Sequence, residues 1–166
     1  PNLGGNPAGA PASASVLGRA SFTGLPSAER AASEAYAMAG VRADRIRVAE
    51  VHDCFSIAEI MAYEDLGFCA RGAGGPFVEE RQTWIGGRVP VNVDGGLLSK
   101  GHPIGPTGGS QIRTIVLQLR EEAGPIQVKS PAFGLVHKVI QGERPAKRLY
   151  PFHAELLPGG STAGVK

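Results

Sequence analysis

Residues 46–67 read IRVAEVHDCFSIAEIMAYEDLG, and the hydrophobic period changes in the middle of them. Ile46 to Val51 is rich in β-branched residues over a strand's length and is expected to be a strand. From Ser56 the spacing becomes helical. Ser56 and Glu59 fit a capping box, in which each side chain accepts from an orphan backbone N–H of the first turn. Ile57, Ile60 and Met61 are expected to face inward and Gly67 to close the helix. His52, Asp53, Cys54 and Phe55 are left on a very short turn between the carboxyl end of a strand and a helix N-terminus. Open α/β sheets place their ligand sites at that edge.

Working outward, Ala28, Ala31, Ala32, Ala35, Tyr36 and Ala39 recur at helical spacing after Pro26-Ser27, with Gly40 placed as a C′ residue. Residues 1–18 are Gly, Pro, Ala and Ser with almost no charge and read as a mobile leader or linker. On the other side, residues 70–96 hold many glycines and the lone Trp84, with β-like stretches at Phe77–Val78 and Val89–Val93. A second helix start lies in Gly101–Gly109, where Pro106 suits an early helical position because its missing N–H would have no partner there. Ile112, Ile115, Val116 and Leu119 form its apolar stripe, Gly124-Pro125 ends it, and Ile126–Lys129 is expected to be another strand. This order implies an α/β domain with crossover units around a sheet.

The 166 residues suit a single domain. With 42% hydrophobic and 19% charged residues the composition excludes a disordered polyampholyte, and a net charge of +2 is too small to argue for nucleic acid. Two cysteines, Cys54 and Cys69, cannot build a disulfide framework, so a reduced, cytoplasmic chain is expected. No apolar run approaches the ~20 residues of a membrane span. The start lacks signal-peptide order and an initiator Met, which suggests a chain that begins inside a longer gene product. Gly164-Val165-Lys166 is no peroxisomal address.

His52 at a strand end, His102 within Gly101-His102-Pro103-Ile104-Gly105 and Cys54 at a helix start are candidates for general acid–base or nucleophilic chemistry. A helix N-terminus favours a neutral imidazole, and thiolates form most readily there. Each also has a plain structural reading: Cys54 as a small buried hydrophobe, His102 as a turn residue, the glycines as loop punctuation. Gly96 to Gly101 has the first spacing of a P-loop, but His102 stands where its Lys belongs. Gly72-Ala73-Gly74 lacks the third Gly of a dinucleotide fingerprint. His52, Cys54, His102 and His137 have no zinc-ligand spacing, so no metal is expected. Lys138, Arg144, Lys147 and Arg148 read as a solvated basic face, or as one that meets an acidic cofactor.

Val51-His52-Asp53-Cys54-Phe55, then Asn92-Val93-Asp94-Gly95-Gly96, then Ser99-Lys100-Gly101-His102-Pro103-Ile104-Gly105-Pro106-Thr107-Gly108 together resemble the C-terminal half of the thiolase superfamily. The His-Asp-Cys-Phe tetrad is similar to that of the sterol carrier protein x-type thiolases. The resemblance spans about residues 20–137 and implies a thiolase-like α/β domain at residues 19–137, between the 1–18 leader and a divergent tail at 138–166. It further implies an acyltransferase that cleaves 3-ketoacyl-CoA with CoA, or condenses acyl-CoA in reverse, with no cofactor besides the coenzyme A thioester substrate. The acyl-carrying Cys of such enzymes comes from the N-terminal half, and the halves assemble into homo- or hetero-oligomers. By the resemblance His102 activates that Cys, His52 and His102 polarise the thioester carbonyl, and Cys54 moves the α-carbon proton. Asn92, Gly95, Gly96 and Gly101 are placed against the coenzyme.

Several positions depart from the pattern. Neither cysteine sits in a nucleophile-loop context. Asn92-Val93-Asp94-Gly95-Gly96 stands for Asn-Pro-Ser-Gly-Gly, Pro106 for Ala, and Lys138-Val139-Ile140-Gln141 for an Asn with a Gly-rich turn after Gly134-Leu135-Val136-His137. Two alternatives follow: a thiolase-like aldolase acting on acyl-CoA side chains, or a non-catalytic acyl-CoA-binding or assembly subunit.

Overall fold

A computed structural model describes residues 24–140 and 146–153, with backbone alone for Ile140 and residues 146–153. The 1–18 leader, most of the divergent tail and Arg144 of the basic cluster lie outside the described residues.

Helix α1 (Pro26–Ala39) begins on a proline and ends at Gly40, whose φ of 64° is a left-handed conformation that costs glycine nothing. Its alanine stripe works as a close-packing face, with Ala28, Ala32 and Ala35 buried. A 3₁₀ turn at Ala43–Arg45 leads to strand β1 (Val48–Glu50), all three of whose residues are buried. Then come α2 (Ser56–Asp65), the short helices α3 (Gly74–Glu79) and α4 (Gly96–Lys100), and α5 (Pro106–Leu119). A 3₁₀ turn at Gly124–Ile126 precedes β2 (Phe133–Ile140) and β3 (Ala146–His153).

The sheet order is β1-β2-β3. β1 and β2 are parallel, with Ala49 opposite Leu135, and β3 returns antiparallel to β2. Successive strand residues point to opposite faces, and both faces are filled. Val48 and Val136 join Ile115, Leu119 and Val128 on the α5 side. Ala49, Val51, Phe133 and Leu135 join Ala32, Ala35, Tyr63, Leu66 and Phe68 on the α1–α2 side. Gly134 makes the first of these contacts possible, because a Cβ there would stand 2.5 Å from Ile115 Cγ2.

The extended Ile46–Val51 segment forms a ladder only over Val48–Glu50. The Ser56–Glu59 capping box does not form: Phe55, with extended backbone, takes the cap position, no side chain bonds the first turn, and Glu59 accepts from Asn92 Nδ2 at 2.9 Å. Ile57 is 60% exposed rather than inward-facing. Phe77 and Val78 are helical, in α3, because the preceding turn is drawn onto α2 by the Gly74 N–H, which donates to Glu64 Oε1 at 3.0 Å. Of Val89–Val93, only Val91 pairs, in one parallel bridge to Ala49.

Ile126–Lys129 is not a strand. There the Gln118 side chain takes over what a ladder partner would do, accepting from Val128 N–H at 2.7 Å and donating to Ile126 O at 2.7 Å. Among the described residues no helix is long and apolar enough to cross a membrane.

Candidate active site

Val51 leaves β1 clamped from two directions. Its N–H donates to Asn92 Oδ1 at 2.9 Å, and its carbonyl accepts from Gln111 Nε2 of α5 at 3.0 Å. Asn92 holds this position at φ 50°, a left-handed conformation that asparagine tolerates better than most residues. Its amide also donates to Glu59, whose carboxyl burial pushes up while hydrogen bonds to Tyr63 and Asn92 oppose the rise.

The next two residues are buried. Asp53 turns under the chain and accepts from the Leu97 N–H at 2.8 Å and the Leu98 N–H at 3.4 Å, so its carboxylate meets the first amides of α4. This fixes the turn that carries His52 and Cys54 against the segment that leads to His102. The approach requires glycine at 96: φ is +59°, and a Cβ would fall 2.7 Å from Asp53 Cγ and nearer still to its Oδ2.

From α4 the chain turns at Gly101 (φ 85°) and delivers His102 onto His52. The two Nε2 atoms are 3.2 Å apart and the rings meet edge to face at 82°. One Nε2–H therefore donates to the other Nε2. His52, Cys54, Phe55, His102, Ile104, Lys138 and Val139 line one cleft of about 400 Å³, within the size range of small-molecule sites. Phe55 and Ile104, 69% and 77% exposed, stand at its mouth. The three catalytic candidates, His52, Cys54 and His102, thus share one cleft although fifty residues separate the two histidines.

The expected coenzyme residues stand elsewhere. Asn92, Gly95, Gly96 and Gly101 are not among the residues that line the cleft; Asn92 and Gly96 support the turn beside it, through Val51 and Asp53. Gly95 (φ 96°) opens α4, and Gly96 N–H donates to Asp94 Oδ1 at 3.1 Å.

Behind the site lies an acidic group that the sequence reading did not single out. Glu50 is fully buried, and among the described residues neither carboxyl oxygen has a hydrogen-bond partner. Burial, reinforced by Asp94, pushes its carboxyl up to about 9, against the opposing Lys100 ammonium 3.9 Å away. Burial would also raise Asp94, but hydrogen bonds from Lys100, Thr114 and the Gly96 N–H outweigh it and hold that carboxyl low. Among the described residues no group of three or more His, Cys, Asp and Glu is placed to hold a metal ion.

Lys138 corrects the expectation of a solvated basic face. It is only 9% exposed, lines the cleft, and has its Nζ 3.0 Å from His52 Nδ1. The available signal was a lone lysine inside the apolar run from Phe133 to Ile140, which is what a cation on a buried strand looks like.

The sequence matches the family described as Thiolase C-terminal domain-like over residues 8–141. It is 45% identical over 121 residues to the acetyl-CoA acetyltransferase of Methanothermobacter thermautotrophicus, covering 73% of this chain and 32% of that protein. It is 40% identical over 129 residues to sterol carrier protein 2 of Oryctolagus cuniculus, covering 78% of this chain and 24% of that one. The chain thus spans about a quarter to a third of the length of these relatives. A solved structure of an Ltp2–ChsH2(DUF35) aldolase superposes with a TM-score of 0.71 at 28% identity, covering 82% of this chain and 34% of that one. With its two-sided α/β sheet and a family match over most of its length, the chain belongs to the thiolase C-terminal domain-like family.

Proposed function

We propose that this chain is the C-terminal half of a thiolase-type acyltransferase acting on acyl-CoA thioesters, completed by a nucleophilic cysteine on an N-terminal half that is not part of it. The observation that supports this reading is the 3.2 Å approach of His52 and His102 in a cleft that also holds Cys54. The Nε2–H of the histidine pair, turned onto a thioester oxygen, stabilises the charge that develops there, the largest single contribution in much acyl-transfer catalysis. His102 then serves as base toward the incoming cysteine. Cys54 takes the α-carbon proton and returns it, as general acid–base exchange requires. CoA and the second half are the partners this implies, in a homo- or hetero-oligomer.

Mass spectrometry of the chain after exposure to acyl-CoA tests the division of labour. The expected result is no stable acyl adduct on the isolated chain; a stoichiometric adduct on Cys54 would refute it.

The aldolase structural neighbour supports a second reading, retro-aldol cleavage of an acyl-CoA side chain in the same cleft. Products separate the two. A shortened acyl-CoA with acetyl- or propionyl-CoA marks the thiolase, whereas a ketone or aldehyde marks the aldolase.

A further inference from the structure

We infer that Lys138 is a positioning residue that sets the tautomer of His52, so that His52 presents its Nε2–H, and not a lone pair, to the cleft. The inference deepens the proposed function, since it assigns the donor role of His52 to a specific neighbour.

The geometry runs through four nitrogens on three side chains. Lys138 Nζ lies 3.0 Å from His52 Nδ1, and His52 Nε2 lies 3.2 Å from His102 Nε2. An ammonium has donors and no lone pair, so Nδ1 of His52 must be the acceptor and carry no proton. The single proton of the neutral ring then resides on Nε2 and is donated to His102 Nε2. His102 in turn carries its own proton on Nδ1. One cation at the end of the row thereby orders both rings, as the partner of one ring nitrogen generally decides which nitrogen is protonated.

The lysine is held for this task. It is on β2, one strand position beyond His137, and its stem passes the first turn of α5, where a Cβ on Gly108 would stand 3.9 Å from Lys138 Cγ. A buried stem leaves the ammonium little room to turn to other acceptors. Burial lowers the Lys138 ammonium below the usual lysine range and the neighbouring Cys54 opposes the fall. A neutral amine would carry a lone pair and could accept as well as donate, so the ammonium form is the one that fixes the direction. A side-chain amide in this place could either donate or accept. Lysine in its ammonium form removes the choice.

The test is ¹⁵N-detected NMR of the histidine rings in the full chain at neutral pH. In the wild type, His52 is expected to show an unprotonated Nδ1 and a protonated Nε2. Lys138→Met should mix the two tautomers of His52, while Lys138→Arg, which keeps a donor, should restore the Nε2–H form. A wild-type His52 protonated on Nδ1, or a spectrum unchanged in Lys138→Met, overturns the inference. The wild-type measurement stands even where the Met variant fails to fold. Because the readout is a ring proton and not turnover, a chain inactive toward thioesters would count against the proposed function and leave this assignment to the spectrum.

Discussion

Gly96→Ala is a single-methyl perturbation whose cost can be worked out from the turn beneath the candidate site. At φ +59° an alanine carries a left-handed penalty of about 1–2 kcal/mol. Its Cβ would also fall 2.7 Å from Asp53 Cγ, and Asp53 is buried and cannot retreat without releasing the Leu97 N–H it holds at 2.8 Å. Loss of a charged hydrogen bond costs about 1.5–3 kcal/mol. The two effects together destabilise the chain by about 2.5–5 kcal/mol, a large share of the ~5–15 kcal/mol of a typical domain. Urea unfolding followed by far-UV circular dichroism measures it. Gly105→Ala is the control, since Gly105 has φ −75° and no described residue within 4 Å of an added Cβ; it should stay within about 0.5 kcal/mol of wild type. A Gly96→Ala loss below about 1 kcal/mol would show that Asp53 does not anchor the His52–Cys54 turn on α4.

Other outcomes follow from the same interactions. Asn92→Ala removes both the acceptor for Val51 N–H and the donor to Glu59, and should cost about 2–3 kcal/mol in the same urea assay, with a loss below 0.5 kcal/mol counting against the clamp. Glu50 gives a pH signature: its folded carboxyl stands at about 9, above the ordinary unfolded value, so the folded state binds the extra proton between them. The contribution of this group to stability should therefore be fully present at acid pH and be lost as pH rises from about 5 toward 9, with a slope of up to about 1.4 kcal/mol per unit. Glu50→Gln should flatten that slope, and an unchanged slope would contradict the burial argument. Phe55, Ile57, Leu98 and Ile104 are large apolar side chains more than half exposed, so the isolated chain should self-associate in sedimentation velocity and Leu98→Ser with Ile104→Ser should weaken the association. A monodisperse wild-type monomer would refute this.

The parts of the fold legible in the sequence are those where local chemistry and tertiary packing agree. The alanine stripe of α1 and its Gly40 end are of this kind, as are Pro106 at the start of α5 and the strand–turn–helix around His52. Where a distant side chain intervenes, local patterns mislead. Asn92 takes Glu59 away from the helix end that the capping box predicts, and Gln118 satisfies the backbone of Ile126 and Val128, which on β-branched content alone form a strand. β2 was hidden for another reason: filled on both faces, its Phe133–Val136 stretch lacks the polar–apolar alternation of a half-buried strand. At the site, His52, Cys54 and His102 were recognisable from their loops and motifs. Lys138 was not, because only the β1–β2 pairing, with Glu50 beside Val136, brings β2's far end to the cleft. The glycines and Asn92 of the second motif were visible as a motif, but their support of the turn through Asp53 and Val51 is a matter of three-dimensional contact.

The most direct test of the account combines this chain with an N-terminal half bearing a nucleophilic cysteine and follows thiolysis of a 3-ketoacyl-CoA by loss of the thioester enolate absorbance. CoA-dependent turnover that neither half shows alone is expected, with a fall of about 10²–10⁴-fold in His102→Ala. Turnover by the reconstituted pair that His102→Ala leaves unchanged would contradict it, because the paired imidazoles would then have no part in the chemistry.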